Sequence, residues 1–134
     1  MKNILVVEDD PFTIDFYRFI FKKAGFNALI MEDGDKVVNT LNETAIHLII
    51  MDINLKNTYL YGEKIDGIKL SKAIKSNDSI SHIPILLVTA YTPGIKGENF
   101  CEACQAEDFI TKPILDFNFL IEKVNSLIEN NGQK

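Results

Sequence analysis

Three stretches of this chain, Ile4–Val7, Leu48–Met51 and Ile85–Val88, are apolar at every position. A strand with one wet face alternates polar and apolar residues, so a strand apolar throughout must be covered on both faces. Amphipathic segments run between these stretches. Asp10-Pro11 opens the first, with Asp as N-cap and Pro at the first helical position. Phe12, Phe16, Phe19 and Ile20 then recur at helical spacing, and Gly25 is the expected stop. A second strand is expected over Ala28–Met31 and a helix over about Lys36–Leu41. The third strand starts at His47 with Asp52 at its end, the fourth is Ile85–Thr89, and the fifth is around Phe109–Thr111. Further helices are expected at Gly67–Lys75, around Glu98–Gln105, and after Asp116, where Phe117, Ile121, Val124 and Ile128 form one stripe. Strand–helix alternation with short connections implies an α/β fold, a parallel sheet covered on both sides.

At 134 residues the chain is sized for a single domain over 1–134, with a polar tail at about 129–134. A net charge of −5 argues against nonspecific binding to nucleic acid, which needs a basic surface to replace counterions. No apolar run approaches the ~20 residues that cross a bilayer. The apolar run after Met1-Lys2-Asn3 is too short for a secretory signal core and has no cleavage site behind it, so the expected location is cytoplasmic. Cys101 and Cys104 form a lone C-x-x-C, and His47 and His82 sit in unrelated segments. A redox pair and two small apolar side chains on one helix face are the alternatives; the second is adopted. One connection is unusual. Ile53 to Asp66 is fourteen residues, against ~2–6 in most α/β loops, and it carries Tyr59, Leu60 and Tyr61 among polar neighbours.

In an open parallel sheet, ligands bind at the carboxyl ends of the strands. Those ends carry Asp9 and Asp10 (strand one), Asp52 (strand three), Thr89 (strand four) and Lys112 (strand five). Clustered carboxylates repel one another unless a cation is present. Oxygen ligands without His or Cys favour a hard ion, and Mg²⁺ suits a site that keeps several waters. Such an ion also neutralises charge during phosphoryl transfer. The lysine would pair with a carboxylate or a phosphoryl oxygen, and the threonine hydroxyl would hydrogen-bond the phosphoryl group. Each residue has a plainer reading: Asp10 as a helix cap, Thr89 as a β-branched strand residue, Lys112 as a solvated charge. All of them at the correct strand ends favour the joint one.

Together these residues resemble the receiver domain of two-component response regulators, over nearly the whole chain. The resemblance rests on Ile4-Leu5-Val6-Val7-Glu8-Asp9-Asp10, on Leu48-Ile49-Ile50-Met51-Asp52, on Thr89-Ala90, and on Lys112-Pro113. It implies a flavodoxin-like, doubly wound sheet of five parallel strands in the order 2-1-3-4-5 with five helices. It implies that Asp52 is the phospho-acceptor and that Asp9, Asp52 and the backbone carbonyl of Asn54 hold Mg²⁺, with Asp10 close by. Lys112 would contact the phosphoryl group, before a Lys112–Pro113 bond that is commonly cis. Thr89 and Phe109 would be the switch pair, and Tyr91 and Asn54 would tune the lifetime of the phosphoryl group. A sensor histidine kinase or a histidine phosphotransfer protein would be the donor, and an unidentified protein the target. No direct contact with nucleic acid or membrane is implied.

Three features depart from the family pattern. Lys56 stands where a proline is usual, the loop before Asp66-Gly67 is about seven residues longer, and Gln105 replaces a common glycine before strand five. Three other functions compete. An intermediate carrier in a phosphorelay uses the same residues. A flavodoxin-like cofactor-binding module needs a hydroxyl- and glycine-rich phosphate loop where Glu8-Asp9-Asp10-Pro11 stands. A phosphatase resembling the haloacid dehalogenase group would need a second Asp two residues after its nucleophile, and Asp9 is followed by Asp10-Pro11.

Overall fold

The apolar runs form the centre of a sheet with helices on both sides. The computed structural model describes residues 1–90, 105–114 and 116–132. In chain order the elements are β1 (Asn3–Val7), α1 (Pro11–Ala24), β2 (Asn27–Met31), α2 (Gly34–Glu43), β3 (Leu48–Asp52), β4 (Tyr59–Leu60), β5 (Glu63–Lys64), α3 (Gly67–Lys75), β6 (Ile85–Thr89), β7 (Asp108–Thr111) and α4 (Phe117–Gly132). The main sheet runs β2-β1-β3-β6-β7, all parallel. With the small β4–β5 hairpin set aside, that is the expected order 2-1-3-4-5. Four helices lie among the described residues, and the one expected around 98–105 falls almost wholly outside them. No helix among the described residues is long and apolar enough to cross a membrane.

Alternation along each strand divides the core in two. Leu5, Val7, Ile49, Met51, Ile85 and Leu87 pack with Val37 and Leu41 of α2 and with Leu70 and Ile74 of α3. Ile4, Val6, Leu48, Ile50, Leu86 and Val88 pack with Tyr17, Ile20 and Phe21 of α1 and with Leu120, Val124 and Ile128 of α4. Each fully buried aliphatic side chain contributes about 1.5–3 kcal/mol, so the central strands anchor both layers.

Asp10 caps α1 by accepting from the Thr13 N–H, Pro11 takes the first turn, and Gly25 ends the helix at φ 86°. The buried stripe of α1 differs from the expected one: Tyr17, Ile20 and Phe21 are buried, whereas Phe12 and Phe19 are 86% and 65% exposed. At 100° per residue the aromatic arc of this helix is wider than the strip one sheet face can cover, and Phe12 and Phe19 fall beyond its edge. The polar residues Glu129, Asn130 and Asn131 continue α4 to Gly132, one turn beyond the buried Ile128.

The long connection is partly ordered as a hairpin. Tyr59 pairs with Lys64 and Leu60 with Glu63, across a two-residue turn with Tyr61 at φ 52° and Gly62 at φ 85°. Positive φ at both turn positions gives the twist that matches paired strands. Leu60 is buried in the α2–α3 layer, and the Tyr61 N–H donates to Asp35 Oδ1 at 3.1 Å.

The connection ends against β3. The Gly67 N–H donates to the Ile53 carbonyl at 3.1 Å, and a Cβ on Gly67 would strike the Asp52 carbonyl oxygen and lie 2.8 Å from its carbon. Both obstacles are backbone and cannot swing away. Gly67→Ala is therefore expected to lose roughly 2–4 kcal/mol in urea denaturation. Gly25→Ala, at positive φ but with nothing within 4 Å, should lose only about 1 kcal/mol from backbone strain. Equal losses in the two variants would contradict a special packing role for Gly67.

Candidate functional site

Three neighbouring strands end together. Asp52 is the last residue of β3, paired in register with Val88, and Thr89 is the next residue on β6. Thr89 pairs with Thr111, the last residue of β7, and its carbonyl accepts from the Lys112 N–H at 2.7 Å. β1 stops at Val7, which brings Glu8 and Asp9 to the same edge. The strand register thus sets the positions of the side chains before any of them interact. Lys112–Pro113 is cis, as the resemblance implies.

Carboxylate oxygens of Glu8, Asp9 and Asp52 lie within 4.8 Å of one another. Glu8 and Asp52 are buried, at 1% and 4% exposure. Lys112 Nζ stands 3.4 Å from Glu8 Oε1 and 3.4 Å from Asp52 Oδ1. Glu8 Oε2 also accepts from the N–H groups of Asp9 (3.0 Å) and Asp10 (3.4 Å). Asp52 Oδ1 accepts from the Asn54 N–H at 3.1 Å, and Asp9 Oδ2 from the Lys56 N–H at 2.8 Å. Burial pushes the Glu8 carboxyl up to about 7; a hydrogen bond to Asp52 and its charge add to this, against Lys112. Among the described residues, three convergent carboxylates with one close ammonium, and no nitrogen or sulfur ligand beside them, fit a hard divalent cation.

Asp10 is not brought into this group. The sequence reading places it close to the ion, but its carboxylate accepts from Thr13 N (2.9 Å) and Thr13 Oγ1 (2.6 Å). These bonds, then the charges of Lys112 and Lys56, hold it below the ordinary carboxylate range. Glu8 occupies the third acidic place instead. The signal was present in Pro11: proline at the first helical position makes Asp10 the cap and commits its side chain to the helix. Asn54 is half-buried at the cleft wall, and Phe109 is half-buried against the α2–α3 layer. Tyr91 lies outside the described residues, as do Cys101 and Cys104. Gln105 has φ 62°, the left-handed conformation in which a glycine is free of strain. Lys56 and Asn57 also line the cleft, whereas Tyr59, Leu60 and Tyr61 do not.

The sign of the Glu8 effect is fixed. With 4.5 as its ordinary value and about 7 in the fold, the folded protein binds more protons than the unfolded chain between those values. Stability of the metal-free protein therefore falls as pH rises through that window, by at most about 3 kcal/mol from this group. Glu8→Gln should gain stability over wild type between pH 5 and pH 8 in EDTA, measured by urea denaturation. Parallel pH profiles for the two proteins would refute the assignment.

Comparison with known proteins places the chain. A family model described as response regulator receiver domain matches residues 4–125. The polar-differentiation response regulator DivK of Brucella anthropi is 28% identical over 128 residues, covering 95% of this chain and 96% of that one. The signal receiver domain of a signal transduction histidine kinase from Syntrophus aciditrophicus is 27% identical, with a TM-score of 0.81 over 97% of this chain and 92% of that one. The receiver domain of a sensor histidine kinase from Pseudomonas aeruginosa PAO1, with a magnesium ion coordinated in its active-site cleft, shares the fold. It is 23% identical, with a TM-score of 0.79 over 96% of this chain and 98% of that one. The chain belongs to the response regulator receiver domain family, whose members are signalling domains.

Proposed function

We propose that residues 1–134 act as one phospho-accepting receiver domain. In this reading Asp52 takes a phosphoryl group from a sensor histidine kinase or a histidine phosphotransfer protein. The observation that carries it is the Lys112 ammonium 3.4 Å from Asp52, at a strand edge where Glu8, Asp9 and Asp52 converge. Asp9, Asp52 and the Asn54 carbonyl would hold Mg²⁺, with Glu8 beside them in the place first expected of Asp10. A bound Mg²⁺ supplies neutralisation of the negative charge that develops on the transferring group.

In transfer, an Asp52 carboxylate oxygen forms a bond to phosphorus while the P–N bond of the donor phosphohistidine breaks. The bonding pair stays on the imidazole nitrogen, and a proton on the other ring nitrogen lets the ring leave as neutral imidazole; Asp52 attacks as a carboxylate and has no proton to give up. The Asn54 N–H holds Asp52 Oδ1 in place, and the Lys112 ammonium offsets charge at the acceptor. Thr89 is assigned the hydroxyl that hydrogen-bonds the bound phosphoryl group, and Phe109 the ring that turns inward with it. Attack of water on phosphorus breaks the P–O bond to Asp52, releasing inorganic phosphate and the free carboxylate. The domain thus catalyses its own phosphorylation and dephosphorylation, with Asn54 and Tyr91 setting the lifetime. The expected setting is cytoplasmic, and the phosphorylated surface binds a target protein. Use as an intermediate carrier in a phosphorelay is a second reading of the same site, supported by its likeness to receiver domains of histidine kinases.

Incubation with acetyl phosphate and Mg²⁺, followed by intact mass, is expected to add one phosphoryl group to wild type and none to Asp52→Asn. Equal labelling of the two sinks the assignment. Lys112→Ala should keep the circular dichroism of wild type and lose labelling or the subsequent switch. Millimolar Mg²⁺ should raise the melting temperature of wild type by mass action and leave that of Asp9→Ala unmoved. If neither protein responds, the metal assignment fails.

A further inference from the structure

We propose that Lys56 is a specificity-determining residue of this cleft, its ammonium drawing anionic phosphodonors toward Asp52. The inference rests on the acceptor reading above and concerns a residue outside the acidic group and Lys112. Lys56 lines the same cleft as Asp9, Asp52 and Lys112. Its backbone is fixed there, because the Lys56 N–H donates to Asp9 Oδ2 at 2.8 Å. The proline usual at this position in the resembling family has no N–H and no charge, so this chain gains both a clamp on Asp9 and a cation. The clamp ties Lys56 directly to the site, whatever the rest of the long connection does.

A second cation is useful because of what surrounds it. Glu8, Asp9, Asp10 and Asp52 all line the cleft, so a phosphodonor anion must approach four acidic side chains with Lys112 opposing them. Lys112 is already engaged with Glu8 and Asp52, and it is only 27% exposed. Lys56 is exposed, on a flexible stem at the cleft rim. Such an effect lies in the encounter and is screened by salt, with a Debye length of about 30 Å at 0.01 M and about 3 Å at 1 M. The transfer itself is unchanged: the bond from Asp52 oxygen to phosphorus forms, the P–O bond of acetyl phosphate breaks, and acetate leaves with the bonding pair.

The test compares Lys56→Gln and Lys56→Arg with wild type, using acetyl phosphate at saturating Mg²⁺ and following the second-order labelling rate. Lys56→Gln keeps the N–H clamp and removes only the charge. Its rate should fall roughly three- to tenfold at low salt and approach wild type at about 1 M NaCl. Lys56→Arg should label like wild type. Because a rim cation also repels a metal ion, Lys56→Gln should bind Mg²⁺ more tightly, a change opposite in sign to that in rate. Wild-type rates for Lys56→Gln at low salt overturn the proposal, as does a slowing that salt does not relieve or that Lys56→Arg shares. Absence of labelling in wild type would instead overturn the acceptor reading, and this proposal with it.

Discussion

One ammonium between two buried carboxylates sets the terms for the rest of the structure. Lys112 lies 3.4 Å from both Glu8 and Asp52, which are almost wholly removed from water. Burying two carboxylates is tolerated only where charge or hydrogen bonds compensate, and here both contribute. Lys112 supplies one charge, and the N–H groups of Asp9, Asp10 and Asn54 supply the nearest dipoles. The compensation is incomplete, as the raised protonation range of Glu8 records. The residual negative charge is what makes the edge receptive to a divalent cation. The acidic cluster that could hold such an ion is thus a consequence of how the fold buries its acids.

The sheet explains why this arrangement sits at its edge and nowhere else. Side chains of β1, β3 and β6 are consumed by the two apolar layers along nearly their whole length, so polar chemistry is confined to the residues where each strand stops. Parallel pairing then brings those stops side by side. Gly67 closes the arrangement from below: its missing Cβ lets the start of α3 press against the Asp52 carbonyl. Asp52 is therefore held through its backbone by α3, and through its side chain by Lys112 and Asn54. A side chain fixed from both ends is already ordered before any ligand arrives.

How much of this was legible depended on the range of the interaction. The strands were readable because full burial on both faces leaves a continuous apolar run, and Ile85–Thr89 and Gly67–Lys75 appear with the bounds that patterning predicts. Asp52, Thr89 and Lys112 were readable because strand ends can be counted. Asp10 was misplaced because consecutive acids at one strand end look alike in composition; only the capping geometry separates Asp10, turned onto Thr13, from Glu8, turned onto Lys112. The buried stripe of α1 was misjudged for a related reason. Periodicity shows that Phe12, Phe16, Phe19 and Ile20 share an arc, but which part of that arc meets the sheet is decided by Tyr17 and Phe21 against β1 and β3. The clamp from Lys56 to Asp9 spans 47 positions, and no local pattern encodes such a contact.

The long connection between β3 and α3 shows how one insertion can be silent in one part and consequential in another. Lengthening a surface loop costs little, since closure entropy grows only with the logarithm of length. What must be supplied is a place for the extra chain to rest. Leu60 provides it by burial beside α2, Gly34 by admitting the Tyr59 carbonyl where a Cβ would stand 2.5 Å away, and Asp35 by accepting from the Tyr61 N–H. These contacts turn the hairpin toward α2 and away from the acidic edge, so its aromatics do not roof the cleft. Tyr61 is instead 77% exposed at the tip, in a left-handed conformation that a bulky side chain adopts at a cost. Only the first residues of the insertion, Lys56 and Asn57, remain at the site. The division is geometric. Asn54 and Lys56 are held by the acids at two strand ends, Asp52 and Asp9, and residues farther along answer to α2.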